Sequence, residues 1–123
     1  PVNLLDIYPT LASLTGCTPP QGQLEGNDLS VLMKDPDAAW DEATVTTFGY
    51  KNYGVRSKRY RYNVYEDGTE ELYDHAKDKW EWLNLADNPE YATIKKKMLK
   101  EIPAHHEPYG VAYKVPKRKR KGQ

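Results

Sequence analysis

Four short runs decide the fold: Thr44-Val45-Thr46-Thr47-Phe48, Tyr53-Gly54-Val55-Arg56-Ser57, Tyr60-Arg61-Tyr62-Asn63-Val64-Tyr65 and Glu70-Glu71-Leu72-Tyr73-Asp74. Each is rich in β-branched or aromatic residues and reads with a period of two, the pattern of a strand. The links between them are short, so neighbouring strands must run antiparallel. Glu66-Asp67-Gly68-Thr69 suits a hairpin turn in which Gly68 takes a positive φ without steric cost. Tyr60, Tyr62 and Val64 share one face while Arg61, Asn63 and Tyr65 share the other. Aromatic groups on both faces imply that at least one meets another layer.

Helical spacing brackets these strands. Upstream, Leu4, Ile7, Tyr8, Leu11, Ala12 and Leu14 follow the helical period, with Asp6 as the expected N-cap and Gly16 closing the helix. Pro9 is compatible with a helix starting next to Asp6, because first-turn N–H groups have no intrahelical partner. A loop over residues 17–26 leads to a short apolar turn at Leu29, Val31, Leu32 and Met33, ended by Asp35-Pro36-Asp37. Downstream, Pro89 opens a second helix whose Tyr91, Ile94, Met98 and Ile102 form the apolar stripe. Its Lys95, Lys96, Lys97 and Lys100 read as a solvated face near the C-terminal end of the dipole. Asp87-Asn88 ahead of Pro89 reads as the cap. The fold class is therefore α+β: a small four-stranded antiparallel sheet packed by a C-terminal helix and preceded by an N-terminal helix.

The 123 residues make one domain at most, with 38% apolar and 29% charged side chains. The lone Cys17 excludes an intramolecular disulfide, and no apolar run approaches the roughly 18 residues that a membrane span needs. No signal-peptide pattern opens the chain, and a start on Pro1 reads as a truncation. The net charge of zero hides an asymmetry: residues 1–50 hold Lys34 against seven acids, and the rest holds 17 bases against 11 acids. Six of those bases lie between Lys114 and Lys121.

Two segments carry more than generic pattern. Leu5-Asp6-Ile7-Tyr8-Pro9-Thr10-Leu11-Ala12-Ser13-Leu14-Thr15-Gly16 resembles the D-x-x-P-T-L-x-x-L-x-G helix that ends the catalytic domain of sulfatases, and Leu24-Glu25-Gly26 resembles the loop that follows it. Val55-Arg56-Ser57-Lys58-Arg59-Tyr60-Arg61-Tyr62, Glu71-Leu72-Tyr73-Asp74 and Asn84-Leu85-Ala86 stand in the order of that family's C-terminal motifs. The resemblance covers about residues 2–103 and is closest to the iduronate-sulfatase-like branch acting on sulfated carbohydrates. It implies a sulfuric ester hydrolase of the alkaline-phosphatase-like superfamily, secreted or periplasmic, whose complete form uses calcium and a formylglycine made from Cys or Ser in C-x-P-x-R. It further implies that residues 1–43 end the catalytic domain, 44–103 form the C-terminal subdomain and 104–123 an extended basic tail.

No catalytic or metal-binding residue is expected in this segment. Cys17-Thr18-Pro19-Pro20-Gln21 imitates the maturation motif but carries Gln21 where arginine is required. The acids are scattered singly, whereas hard cations want converging oxygens. His105 and His106 are adjacent and would point apart on an extended chain. Substrate contact is a different matter: the resemblance places the subdomain beside the active-site mouth, and Asn52, Tyr53, His105 and His106 have side chains suited to a sulfated sugar. Arg56 reads as structural, pairing with a carboxylate.

The expected partners are an N-terminal catalytic domain and a sulfated carbohydrate. The helix from Leu4 to Leu14 is apolar over most of its circumference, which one small sheet cannot cover. Alone, the chain is expected to be marginally stable, to self-associate, or to order only beside that domain. Two other readings compete: a free-standing module that binds nucleic acid or polyanionic glycan through Lys114 to Lys121, and a scaffold whose open sheet face docks on another chain.

Overall fold

The computed structural model describes residues 1–19 and 22–106. The Lys114 to Lys121 run and Gln21 lie outside them. Four strands, β1 (Thr44–Thr47), β2 (Tyr53–Arg56), β3 (Tyr60–Val64) and β4 (Glu70–Asp74), form one antiparallel sheet in the order β1-β2-β3-β4. Helices α1 (Ile7–Thr15) and α2 (Ser30–Lys34) precede the sheet, and α3 (Ala92–Leu99) follows it. The α+β expectation holds, and three of the strands stop one residue short of their sequence pattern. Gly68 takes φ 83° in the β3–β4 turn, as its position requires.

Register explains the core. Val45, Val55, Tyr62 and Leu72 stand opposite one another across the four strands. Val55, Tyr62 and Leu72 are completely buried beneath Met98 of α3, with Tyr91, Ile94 and Ile102 packed around them. Burial of each such side chain contributes about 1.5–3 kcal/mol. The apolar stripe read from the sequence is therefore the stripe that seats α3 on the sheet.

Polar bonds fix the same interface. The Lys95 ammonium reaches the Glu70 carboxylate at 2.6 Å and the Ala86 carbonyl at 3.2 Å, and Lys97 pairs with Asp41 at 2.9 Å. Lys95 ties α3 to the sheet and departs from the expected solvated face, whereas Lys96, Lys97 and Lys100 are exposed as that reading expects. Tyr62 donates its hydroxyl to the same Glu70. Along the outer edge of β4, the Asn84 side chain accepts from the Leu72 amide at 3.0 Å, and the Leu85 amide donates to the Leu72 carbonyl at 2.8 Å.

Both long helices begin in a 3₁₀ turn. A 3₁₀ turn, Leu4–Asp6, precedes α1, and another, Pro89–Tyr91, precedes α3. Asp6 stands at the N-cap position of α1 as expected, but its side chain makes no cap bond to that helix. Its buried carboxylate accepts from the Asn3 amide at 2.6 Å and from the Asn27 amide at 2.8 Å. Thr10 acts in parallel, its hydroxyl accepting from the Leu29 amide at 2.8 Å. The aspartate and threonine of D-x-x-P-T thus clamp the loop that carries Leu24-Glu25-Gly26. Gly26 fits so closely there that a Cβ would lie 2.0 Å from the Leu5 carbonyl oxygen. At the other helix start, Asn88 caps the Glu90 amide at 3.0 Å. The remaining face of α1 is open: Leu4, Leu5, Ile7, Tyr8, Leu11 and Leu14 are each at least 50% exposed.

Candidate functional site

The end of the sheet that carries the β1–β2 and β3–β4 turns gathers the residues of interest. Between β1 and β2 the chain turns through Gly49 at φ 69° and Lys51 at φ 56°. A left-handed lysine is disfavoured and persists only where its neighbours hold it. Asn52 supplies part of that restraint, its amide donating to the Tyr50 carbonyl at 3.0 Å and its carbonyl accepting from the Glu66 amide at 3.1 Å. The Asn52 side chain therefore joins the β1–β2 turn to the β3–β4 turn.

Tyr53 begins β2 on the packed face and is 7% exposed. Its hydroxyl lies 2.7 Å from Nδ1 of His106, with the two rings tilted at 5.5 Å between centroids. Tyr50 presents its edge to the same imidazole at 6.5 Å, and the Lys51 ammonium sits 5.1 Å from the Tyr50 ring centroid. Two of the four sequence candidates, Tyr53 and His106, are thereby brought into contact, Asn52 braces the loop beside them, and His105 adjoins His106 in the chain. Tyr50 and Lys51 escaped the sequence reading, since nothing in their composition announces a left-handed turn.

On the face of the sheet away from α3, a second polar cluster forms. The Arg56 guanidinium donates to His75 Nδ1, the His75 Nε2–H donates to Glu81 at 2.6 Å, and Arg61 donates to both Glu81 oxygens at 3.2 Å. The bond to Glu81 places a proton on His75 Nε2, because a carboxylate can only accept. Arg56 therefore reaches a carboxylate through His75 rather than directly, a refinement of the expected pair. Partial burial works to raise the Glu81 carboxyl, but its bonds from His75 and Arg61 outweigh that and hold it low. Glu81 itself adopts φ 60°.

Among the described residues no group of three or more His, Cys, Asp or Glu side chains is arranged to hold a metal ion. Asp6, Glu70, Asp74 and Glu81 are each taken up by separate local bonds. Cys17 is exposed, just beyond the left-handed Gly16 that ends α1.

Residues 2–107 match the family model described as N-sulphoglucosamine sulphohydrolase, C-terminal. The chain belongs to this family. This sulphohydrolase C-terminal region is 43% identical over 88 residues to a sulfatase of Formosa agariphila, covering 72% of the chain and 17% of that relative. It is 35% identical over 107 residues to an ulvan-active sulfatase of the same organism, covering 80% of the chain and 21% of the relative. Among solved structures, a 2-O GAG sulfatase superposes with a TM-score of 0.61 at 31% identity, covering 78% of the chain and 22% of that structure. The chain thus spans about a fifth of the length of the relatives it matches. No helix among the described residues is long and apolar enough to cross a membrane.

Proposed function

We propose that the chain is the C-terminal portion of a sulfatase that hydrolyses sulfate esters of carbohydrates, and that Tyr53 and His106 border its substrate cleft. The observation that carries the site is the 2.7 Å contact between the Tyr53 hydroxyl and His106 Nδ1, which joins the start of β2 to the segment after α3. When Tyr53 donates to Nδ1, the proton of the neutral imidazole resides on Nε2, leaving a fixed donor. Sulfate oxygens are acceptors only, and sugar hydroxyls accept readily, so that tautomer suits either group. Asn52 holds the turn beside the pair, and His105 adjoins it. In this reading residues 1–43 form the edge of the catalytic domain, 44–103 the subdomain beside it, and 104–123 a basic tail.

Calcium and formylglycine belong to the complete enzyme. The described carboxylates do not converge, and Cys17 lacks the arginine of the maturation motif, so no catalytic step is assigned to these residues. The isolated chain is expected to hydrolyse no sulfate ester above background. In the complete enzyme, Tyr53→Phe and His106→Ala should each raise KM for a sulfated oligosaccharide about tenfold, the effect of losing about 1.4 kcal/mol of binding. Turnover of a small aryl sulfate should change little. Equal loss on both substrates, or none on either, would remove the pair from the cleft.

A further inference from the structure

The turn between β1 and β2 is closed by the Phe48 amide, which donates to the Asn52 carbonyl at 3.0 Å, and inside it Lys51 takes φ 56°. We propose that Lys51 sets substrate preference, its ammonium binding an anionic substituent of the sugar, a carboxylate or a further sulfate, beside Tyr53 and His106. The proposal deepens the reading that this pair borders the substrate cleft, and rests on it.

Backbone strain is the first observation. Glycine takes a left-handed conformation without steric cost, whereas a lysine there brings its Cβ against the neighbouring peptide. Two non-glycine residues among the described ones adopt it, and they differ in what their side chains do. Glu81 bonds through its carboxylate to His75 at 2.6 Å and to Arg61 at 3.2 Å. The Lys51 ammonium lies 5.1 Å from the Tyr50 ring centroid and has no carboxylate partner among the described residues. An exposed cation–ring contact stabilises by less than a left-handed side chain costs. The fold alone would therefore favour glycine here, and strain that the fold does not need is characteristic of a ligand clamp.

The surroundings indicate what the clamp holds. Tyr50 connects the ammonium to the site: its ring meets the His106 imidazole at 6.5 Å and 85°, and that imidazole contacts the Tyr53 hydroxyl at 2.7 Å. A cation among aromatic rings and a fixed imidazole donor suits a sugar that carries negative charge, since the rings meet its C–H surface and the ammonium its anion. The Lys51 side chain is exposed and so open to a ligand, while the turn that presents it is fastened by Asn52 to the Glu66 amide at 3.1 Å. An ammonium is a point charge without the fork of a guanidinium, and it serves carboxylate and sulfate alike.

Kinetics of the complete enzyme on three disaccharides test the proposal: one monosulfated and carrying a uronate carboxylate, its carboxyl-reduced counterpart, and the carboxyl-reduced sugar with a second sulfate. Lys51→Gly should lower kcat/KM for an anionic member relative to the carboxyl-reduced monosulfate by about five- to tenfold, through KM rather than kcat. Its unfolding midpoint should stay level or rise, because glycine relieves the turn. Lys51→Arg should keep most of the preference. Whether the preference lost is for the carboxylate or for the second sulfate identifies the group bound. A preference that Lys51→Gly leaves intact, or a lowered midpoint with equal loss on all three sugars, would overturn the role of Lys51 and leave Tyr53 and His106 untouched. A folded wild-type enzyme that cleaves none of the three would overturn the functional reading, and this proposal with it.

Discussion

Arg59 grips Asp74 with two nearly parallel bonds, Nε to Oδ1 at 2.7 Å and Nη2 to Oδ2 at 2.6 Å. The carboxylate is fully buried while the guanidinium side chain is 48% exposed. The pair therefore places a buried charge at the end of β4 whose salt-bridge partner, among the described residues, is Arg59. The fork geometry also matters, since a lysine reaches a carboxylate through one point rather than two. Arg59→Ala is expected to destabilise the fold by about 2–3 kcal/mol, because it leaves a buried carboxylate without its cation. Arg59→Lys should recover part of this. Urea denaturation of both variants measures it, and a loss below about 0.5 kcal/mol for Arg59→Ala would place the pair among ordinary surface bridges.

The carboxyls set an acid limit. Lys95 and then Tyr62 hold Glu70 below the usual carboxylate range, and Arg59 does the same for Asp74. Folded values below unfolded ones mean stability that is present above about pH 4 and lost as pH falls through the folded values. Denaturation midpoints should be level near neutrality and decline below about pH 4, with a shallower decline in Lys95→Met. At the other limit, burial and then the Glu70 bond push the Tyr62 hydroxyl up. Its contribution is present below about pH 10 and lost above it, and Tyr62→Phe should remove that alkaline loss.

Gly26 offers a steric test. A methyl group there would collide with the backbone of Leu5 rather than with a side chain able to move aside. Gly26→Ala should cost about 1–3 kcal/mol and loosen the loop from α1. Amide exchange at Asn27 and Leu29, whose N–H groups are bound by Asp6 and Thr10, should rise in that variant. Unchanged exchange there would show that the loop is held elsewhere.

The open side of α1 predicts association. Six apolar side chains remain at least half exposed, each forgoing half or more of the about 1.5–3 kcal/mol that full burial contributes, against total stabilities of about 5–15 kcal/mol. Sedimentation of the isolated chain should show a mass that rises with concentration, and Leu11→Lys should suppress the rise. A cooperative, concentration-independent unfolding of a clean monomer would favour a stand-alone domain.

How much of this was legible beforehand divides by range. Period-two alternation and the Gly68 turn located all four strands, because both signals are local. The stripe of Tyr91, Ile94, Met98 and Ile102 named the face that α3 buries. What escaped was set by distant partners. Asp6 looks like a helix cap until the loop at Asn27 arrives to use its carboxylate, and Lys95 looks solvated until Glu70 is seen beneath it. Lys51 and Glu81 take left-handed backbones that no side-chain type advertises. At the site, resemblance singled out Tyr53 and His106 separately, and only the fold brings them within 2.7 Å.

The two borders of the sheet are unequal. β4 is flanked by its own chain at Asn84 and Leu85, so a foreign strand approaching that side meets backbone groups already engaged. β1 is four residues long, is laddered only to β2 among the described residues, and ends in the exposed Thr46 and Thr47. Unravelling should therefore begin at β1 and proceed inward, with β3 and β4 the last pair to part. The same inequality gives the sheet a single growing side: a strand donated by another molecule has a place to add at β1 and is blocked at β4.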